Sequence, residues 1–110
     1  MRQGEIWFAD LDPAKGSEQS GRRPVVVISG NTLNDALPIV IVVPVTSKIK
    51  SYPACTMLKT GRTSGLKKES EAISFQVRAL AKKRLIKRIG RVTGEELREI
   101  LRGLFVVLTH

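Results

Sequence analysis

Apolar residues along this chain follow mainly the patterns of short β-strands. Two β-branched runs, PVVVIS at 24–29 and IVIVVPVT at 39–46, have the length and composition of buried strands. Pro44 lies inside the second run and removes a ladder donor, so we expect a bulge or a strand edge there. The polar connection Gly30–Leu37 has room for one helical turn. Further strands are predicted at Glu5–Leu11, Cys55–Lys59, Glu71–Leu80 and Ile86–Val92.

One long helix is predicted after the last strand. Thr93 and Glu96 have the spacing of a capping box, in which each side chain bonds the backbone amide of the other residue. The apolar residues that follow fall on one helical stripe, which indicates core or dimer packing: Leu97, Ile100, Leu101, Leu104 and Leu108. Five or six short strands and a terminal helix predict a mainly β fold, a small and partly open β-barrel with the helix packed on it. The length of the chain suits a single domain over residues 1–110.

Composition excludes several classes of protein. Apolar residues are 42% of the chain and charged residues 26%, which are ordinary globular values. The longest apolar run, residues 38–45, is too short to span a membrane, and the N-terminus lacks the apolar stretch of a signal peptide. The one cysteine, Cys55, agrees with a reducing compartment. We therefore expect a cytoplasmic protein without a membrane segment.

Charge is distributed unevenly. The chain has 19 Lys and Arg against 10 Asp and Glu, a net charge of +9. Residues 48–91 hold thirteen basic and two acidic residues, so this segment alone carries +11. A basic face of this kind can meet a polyanion through phosphate contacts, and it is equally compatible with a merely soluble basic surface.

Motifs for metals and nucleotide cofactors are missing from the sequence. There is no Cys/His cluster with zinc spacing, and the one histidine, His110, is a poor ligand candidate. The glycines do not form a P-loop or a dinucleotide fingerprint. We expect no cofactor, and an enzyme with this sequence is expected to work without a metal.

The chain resembles the MazF/PemK-like toxins over nearly its whole length. The resemblance is carried by GEIW at 4–7, DLDP at 10–13 and above all GSEQSGRRPVVVI at 16–28. It continues through VPVTS at 43–47, GLKKES at 65–70 and QVR at 76–78 into the terminal helix. The resemblance implies an SH3-like barrel, a homodimer, and a bacterial, ribosome-independent endoribonuclease that cuts single-stranded RNA at short sequences. It also implies inhibition by a cognate MazE-like antitoxin.

Three residues are the candidate catalytic groups. Arg23 matches the catalytic arginine of the family, and its planar charged fork suits stabilisation of charge on phosphoryl oxygens; a surface arginine in an ion pair is the alternative. Thr46 matches the second functional position of the family and would orient the scissile phosphate; a strand-end hydroxyl bonded to backbone is the alternative. Glu18 is the candidate base for the 2′-hydroxyl, with an ion pair to Arg22 or Arg23 as its alternative.

Further polar residues are candidates for binding the RNA. Gln19 and Ser47 can offer hydrogen bonds to bases or phosphate, and the segment Lys48–Lys50 suits phosphate contacts, although solvated lysines explain it equally. Gln76 and Arg78 match a family motif near the site; Arg78 has an ion pair with Glu69 or Glu71 as its alternative.

One residue departs from the family pattern, and two other functions stay open. Some members carry an acidic residue before the glutamine of the QVR motif, where this chain has Phe75, which can stack on a base or fill the core. The same fold serves in toxins that poison DNA gyrase without cutting RNA. A non-catalytic RNA-binding module is the third possibility, favoured by charge and weakened by a content of only five aromatic residues.

Overall fold

The structure, a computed structural model, describes residues 1–12, 16 and 21–110. Two short 3-10 helices, Ser74–Gln76 and Lys82–Arg84, interrupt the second half of the chain. The strands and helices, in chain order, are β1 Glu5–Asp10, β2 Arg22–Val27, α1 Asn31–Ala36, β3 Ile39–Thr46, β4 Cys55–Leu58, β5 Ser70–Ile73, β6 Arg78–Ala81, β7 Leu85–Arg91 and α2 Gly94–Thr109. The predicted fold class, mostly β with a C-terminal helix, is confirmed.

The strands form an open antiparallel sheet in the order β4-β5-β3-β2-β1-β7, with β6 also paired to β3. Strand β1 pairs with β2 on one side and with β7 on the other, so the first and last strands in chain order are neighbours in the sheet. Within the described part of the chain, β4 and β7 form the two edges of this order, and the sheet does not close.

The prediction of one continuous strand at Glu71–Leu80 was wrong, because a 3-10 turn divides it into β5 and β6. Strand β5 pairs Val45 with Ala72, so an uninterrupted register would pair Val42 with Phe75. Instead, Val42 pairs with Arg78, three residues further on. Residues 74–76 form the inserted turn, which the apolar pattern of the sequence does not distinguish from strand.

Pro44 lies at the point where this turn faces β3. On the β2 side it pairs with Val25 without a register shift, so the expected bulge is absent from that ladder. On the other side, β6 pairs with Ile39–Val42 and β5 with Val45–Thr46. Pro44 therefore falls in the gap between two ladders, where a missing N–H donor costs little.

Apolar side chains pack in two clusters on the two faces of the sheet. One cluster includes Val26, Val43 and Val45 and is covered by α2 through Ile100, with Leu97 and Leu104 packed against it. The other face carries the second cluster: Ala9, Leu11, Val25, Val27, Val40, Val42, Leu80 and Leu85. Strand alternation explains the division, since consecutive valines of β2 and β3 point to opposite faces.

The predicted capping box of α2 is confirmed. The Thr93 hydroxyl accepts a hydrogen bond from the Glu96 amide at 3.1 Å, and Glu96 Oε1 accepts one from the Thr93 amide at 2.8 Å. The second oxygen of Glu96 accepts a hydrogen bond from the Lys59 amide at 2.8 Å, which ties the start of the helix to the end of β4. Among the described residues, no helix has both the length and the apolar character needed to cross a membrane.

Candidate active site

Three polar side chains lie in a row on the neighbouring strands β2, β3 and β5. Thr46 of β3 pairs directly with Glu71 of β5. The β2–β3 register pairs Val25 with Pro44, and extending it by two residues places Arg23 opposite Thr46. Directly opposite residues of an antiparallel pair have their side chains on the same face, about 5 Å apart at Cβ. Arg23, Thr46 and Glu71 therefore share the face that α2 does not cover.

This row forms one wall of a cavity of about 460 Å³, which we call the Arg23 cavity. Lys48, Lys50 and Tyr52 line it from the loop that follows β3. The cavity thus combines three cationic side chains with one carboxylate and two hydroxyls, a composition suited to an anionic ligand that also carries hydrogen-bond donors.

The β3–β4 loop, residues 47–54, is held against this wall by hydrogen bonds. Thr46 Oγ1 accepts a bond from the Lys48 amide at 3.1 Å, and Glu71 Oε1 accepts one from the Lys50 amide at 3.1 Å. Two residues of the loop, Ser51 and Ala54, have φ of 55° and 69°, a left-handed conformation that is costly for residues other than glycine. The bonds from Thr46 and Glu71 hold the loop in this conformation, with both lysines beside the cavity.

The hydroxyl of Thr46 is bonded to backbone, as the alternative interpretation expected, and this does not remove it from the site. The bond to Lys48 uses a lone pair of Oγ1, and the hydroxyl proton can still be donated to a ligand oxygen. Thr46 is almost completely buried at the cavity wall. Its side chain therefore has a fixed position, with one donor to offer.

Two aromatic rings add a surface for stacking. Tyr52 and Phe75 lie with ring centroids 6.1 Å apart and ring planes inclined by 56°. They are 53% and 44% exposed, and both line the Arg23 cavity. The interpretation of Phe75 as a core residue was wrong: the 3-10 turn at 74–76 places its ring at the surface, while Ser74 is buried and donates to the Ile100 carbonyl at 3.3 Å.

The one cysteine of the chain also lines this cavity, where it is half-buried. Burial raises the pKa of the Cys55 thiol above its usual range, and the negative charge of Glu71 raises it further. Because the thiolate is the nucleophilic form, a thiol with a raised pKa is a poor nucleophile at neutral pH. Cys55 therefore contributes a small neutral surface to the cavity wall.

The other residues singled out from the sequence lie in several places. Gln76 lines the Arg23 cavity, whereas Ser47 lines a second cavity of about 430 Å³ together with Arg22. Arg78 donates a hydrogen bond from Nη1 to the Leu11 carbonyl at 3.3 Å, and no salt bridge to Glu69 or Glu71 occurs among the described residues. Glu18 and Gln19 lie outside the described residues. Within the described ranges, no group of three or more His, Cys, Asp and Glu is placed to hold a metal ion.

Sequence reasoning did not assign Glu71 or Tyr52 to the site. Glu71 is an acidic residue in a segment with a strand-like pattern. That pattern does not reveal which residue of the neighbouring strand lies opposite Glu71. Its assignment needs the pairing with Thr46, which the long connection between β3 and β5 hides in the sequence. Tyr52 lines the cavity because of the conformation of the β3–β4 loop. No periodic pattern in the sequence predicts that conformation.

Comparisons with known proteins agree on one family. A family model described as the PemK-like, MazF-like toxin of type II toxin–antitoxin systems matches residues 2–108. Endoribonuclease MazF9 of Mycobacterium tuberculosis is 43% identical over 106 residues, which cover 91% of this chain and 89% of that protein.

Solved structures of this family share the fold. The crystal structure of MazF (Form-I) from Deinococcus radiodurans superposes with a TM-score of 0.87 at 24% identity, covering 100% of this chain and 97% of that one. The MazE–MazF structure (Form-II) from the same organism has a TM-score of 0.80 at 26% identity, covering 98% of this chain and 95% of that one.

Proposed function

This chain belongs to the family of PemK-like, MazF-like toxins of type II toxin–antitoxin systems, and we propose that it is an endoribonuclease that cuts single-stranded RNA in the Arg23 cavity. The observation that carries the proposal is that Arg23 of β2 and Thr46 of the adjacent strand β3 line the same cavity. The relative at 43% identity is an endoribonuclease, so poisoning of gyrase and RNA binding without cleavage are not favoured.

The reaction we propose uses the nucleophile that RNA itself carries. The 2′-oxygen forms a bond to phosphorus and the bond from phosphorus to the 5′-oxygen breaks, which gives a 2′,3′-cyclic phosphate and a 5′-hydroxyl. A base takes the proton of the 2′-hydroxyl, and an acid donates a proton to the departing 5′-oxygen. Since the nucleophile is already in the substrate, the protein needs to align the phosphate, move protons and stabilise negative charge, and none of these tasks requires a metal.

The side chains of the cavity suit these tasks. Arg23 would bind two phosphoryl oxygens with its planar fork as they gain charge. Thr46 would donate its hydroxyl proton to one of the same oxygens, from a position fixed by the Lys48 amide. Lys48 and Lys50 would hold neighbouring phosphates, and Gln76 offers an amide to the RNA. Glu18 remains the proposed base, by its sequence context.

Two kinds of protein partner follow from the family. We propose that a cognate antitoxin inhibits the chain by placing an acidic segment in the basic cavity, in competition with RNA.

We also propose that the chain is a single domain and that it forms a homodimer in the cytoplasm. An exposed apolar stripe at the end of α2 supports the dimer, since Phe105 and Leu108 are 64% and 72% exposed. Sedimentation of the wild type and of Phe105→Asp checks this, because the variant would be monomeric.

The mechanism is tested with an RNA oligonucleotide that has one 2′-deoxy nucleotide on the 5′ side of the cut. We expect it to bind nearly as well as the all-RNA control, because phosphate contacts dominate affinity, and to remain uncut. Cutting of the control should continue in EDTA and leave a cyclic or 3′-phosphate. Cutting of the 2′-deoxy substrate would refute attack by the 2′-hydroxyl. Binding of the control without any cutting would refute the endoribonuclease proposal itself.

A further inference from the structure

Glu71 is an unusual residue for a cavity that binds phosphates. The residue is only 3% exposed and lines the Arg23 cavity. A buried carboxylate is costly unless it receives hydrogen bonds, and its charge repels the phosphates that the surrounding cations attract. Its presence beside Thr46 therefore needs an explanation other than phosphate binding.

One oxygen of this carboxylate has a structural role. Glu71 Oε1 accepts the hydrogen bond from the Lys50 amide, which fixes the rotamer of the side chain and the position of the β3–β4 loop together. That is the one hydrogen bond to the Glu71 carboxylate from the described residues. Since an ionised carboxylate has about four acceptor positions, most of its acceptor capacity remains for a ligand in the cavity.

The same cavity has the other features of a site for a nucleobase. Its volume of about 460 Å³ falls within the range of small-molecule sites. The rings of Tyr52 and Phe75 offer exposed faces on which a base can stack, and base–aromatic stacking does not depend on which base is present. Choice among bases then depends on the polar groups that meet the edge of the stacked ring, and Glu71 supplies the one carboxylate that lines the cavity among the described residues.

We propose that the Arg23 cavity holds one nucleobase of the RNA and that Glu71 selects a base with an exocyclic amino group over uracil. The inference rests on the proposed function. Adenine, cytosine and guanine each offer an amino N–H to the carboxylate. Uracil offers one N–H between two carbonyl oxygens, and these would face the carboxylate with like partial charge. Discrimination therefore combines an attractive contact with a repulsive one.

The first test compares the cut sites of three proteins in a random RNA pool: the wild type, Glu71→Gln and Glu69→Gln. Glutamine retains an oxygen for the Lys50 amide and nearly the same volume, so the fold and the β3–β4 loop are kept. We expect the wild type to disfavour uracil about tenfold at one position near the cut. Glu71→Gln removes this preference at that position alone, because its amide can donate to the uracil carbonyls. Glu69 is exposed and outside the cavity, so its variant keeps the wild-type profile.

The second test measures binding without cleavage. Tetramers of 2′-O-methyl uridine, cytidine and adenosine cannot undergo 2′-attack, and their affinities are measured by fluorescence anisotropy. Wild type binds the cytidine and adenosine tetramers several-fold more tightly than the uridine tetramer, and Glu71→Gln binds all three alike. These affinities test the role of Glu71 in base selection even if no RNA is cut. Absence of cutting would refute only the endoribonuclease proposal. A binding or cutting preference unchanged in Glu71→Gln overturns the inference. Loss of all cutting with unchanged binding preferences also overturns it and assigns Glu71 to proton transfer.

Discussion

Arg22 and Arg23 are adjacent in the sequence but take different places in the structure. Both belong to β2, where successive side chains point to opposite faces of the sheet. Arg23 is half-buried and lines the cavity that contains Thr46, whereas Arg22 is exposed and lines only the second cavity. Variants of the two arginines therefore test whether cleavage depends on the position of Arg23 or only on its positive charge.

We expect Arg23→Ala to reduce the cleavage rate by about a hundredfold or more, because loss of one group that stabilises transition-state charge has that size of effect. Arg22→Ala should stay within a few-fold of wild type. Single-turnover cleavage of one RNA substrate measures both, with circular dichroism as the check on folding. Equal losses in the two variants would show that general positive charge, rather than the position of Arg23, supports cleavage.

Glu5 has a structural role in β1, where β1 pairs with β7. Its Oε1 accepts hydrogen bonds from the Arg2 amide at 2.8 Å and the Trp7 indole at 3.0 Å, and its Oε2 pairs with Arg88 of β7 at 3.0 Å. Burial acts to raise the pKa of Glu5, but the donors from Arg2 and Trp7 and the charge of Arg88 together outweigh burial, so this pKa lies below its ordinary value.

A lowered pKa in the folded state predicts a definite pH dependence. The stabilisation by the Glu5 carboxylate is fully present above its unfolded pKa of about 4.3 and is lost as the pH falls through the lower folded value. We expect Glu5→Gln to lower the free energy of unfolding by about 1 kcal/mol at pH 7 and to approach wild type as the pH falls through the lowered pKa of Glu5 in the folded state. Urea unfolding at several pH values measures this difference. A difference that stays the same at every pH would mean that packing, not charge, is responsible.

At the scale of elements, the contact between α2 and the β3–β4 loop connects the core to the site. Gly103 of α2 is buried, and a Cβ there would lie 2.8 Å from the Ala54 carbonyl oxygen and 3.2 Å from Ser74 Oγ. The missing side chain lets the helix approach the end of the loop that carries Lys48 and Lys50. Packing of α2 thus limits how the loop can move.

We expect Gly103→Ala to destabilise the fold by up to about 2 kcal/mol, because an overpacking cost of about 1–3 kcal/mol against backbone outweighs the gain of about 1 kcal/mol in helix propensity. Gly94→Ala is the control, since its Cβ would meet only the Arg98 guanidinium, at 3.7 Å. That variant should be as stable as wild type or more so. Thermal unfolding compares the two, and a stabilised Gly103→Ala would show that the loop yields without cost.

Local signals in the sequence predicted the elements well and their pairing poorly. The capping box at Thr93 and the β-branched runs before Ser29 and Thr46 depend on neighbouring residues, which the sequence shows directly. The break at 74–76 depends on the register of β5 and β6 against β3, a tertiary property. For the same reason, Arg23 and Thr46 were identified by family resemblance, whereas Glu71 became visible only through its partner strand.

At the scale of the whole molecule, positive charge is divided between separate surfaces. The net charge of +9 includes Lys48 and Lys50 at the Arg23 cavity. It also includes Arg62, Arg88 and Arg91, which line a different cavity of about 360 Å³ beside β7. Composition alone does not reveal which of these surfaces binds RNA, but the salt dependence of affinity can.

We expect the double variant Lys48→Gln/Lys50→Gln to bind single-stranded RNA with a weaker salt dependence than wild type. Each phosphate contact contributes about 0.7 to the slope of log affinity against log salt, so the loss of two contacts lowers the slope by about 1.4. Lys67→Gln/Lys68→Gln removes the same charge outside the cavity and should leave the slope unchanged. Titration of an uncleavable 2′-O-methyl oligonucleotide at several salt concentrations measures it, and equal slopes in both variants would place the RNA elsewhere.

The pairing of β1 with β7 has a consequence for synthesis on the ribosome. Asp10, the last residue of β1, and Leu85, the first of β7, are 75 positions apart. At about 5–20 residues per second, β7 follows β1 after about 4–15 s. During that interval one edge of β1 has no partner, and the face containing Ile6 waits for α2, which is made later still. Each new copy of the toxin therefore spends seconds as an incomplete sheet, vulnerable to proteases and aggregation, before it can act.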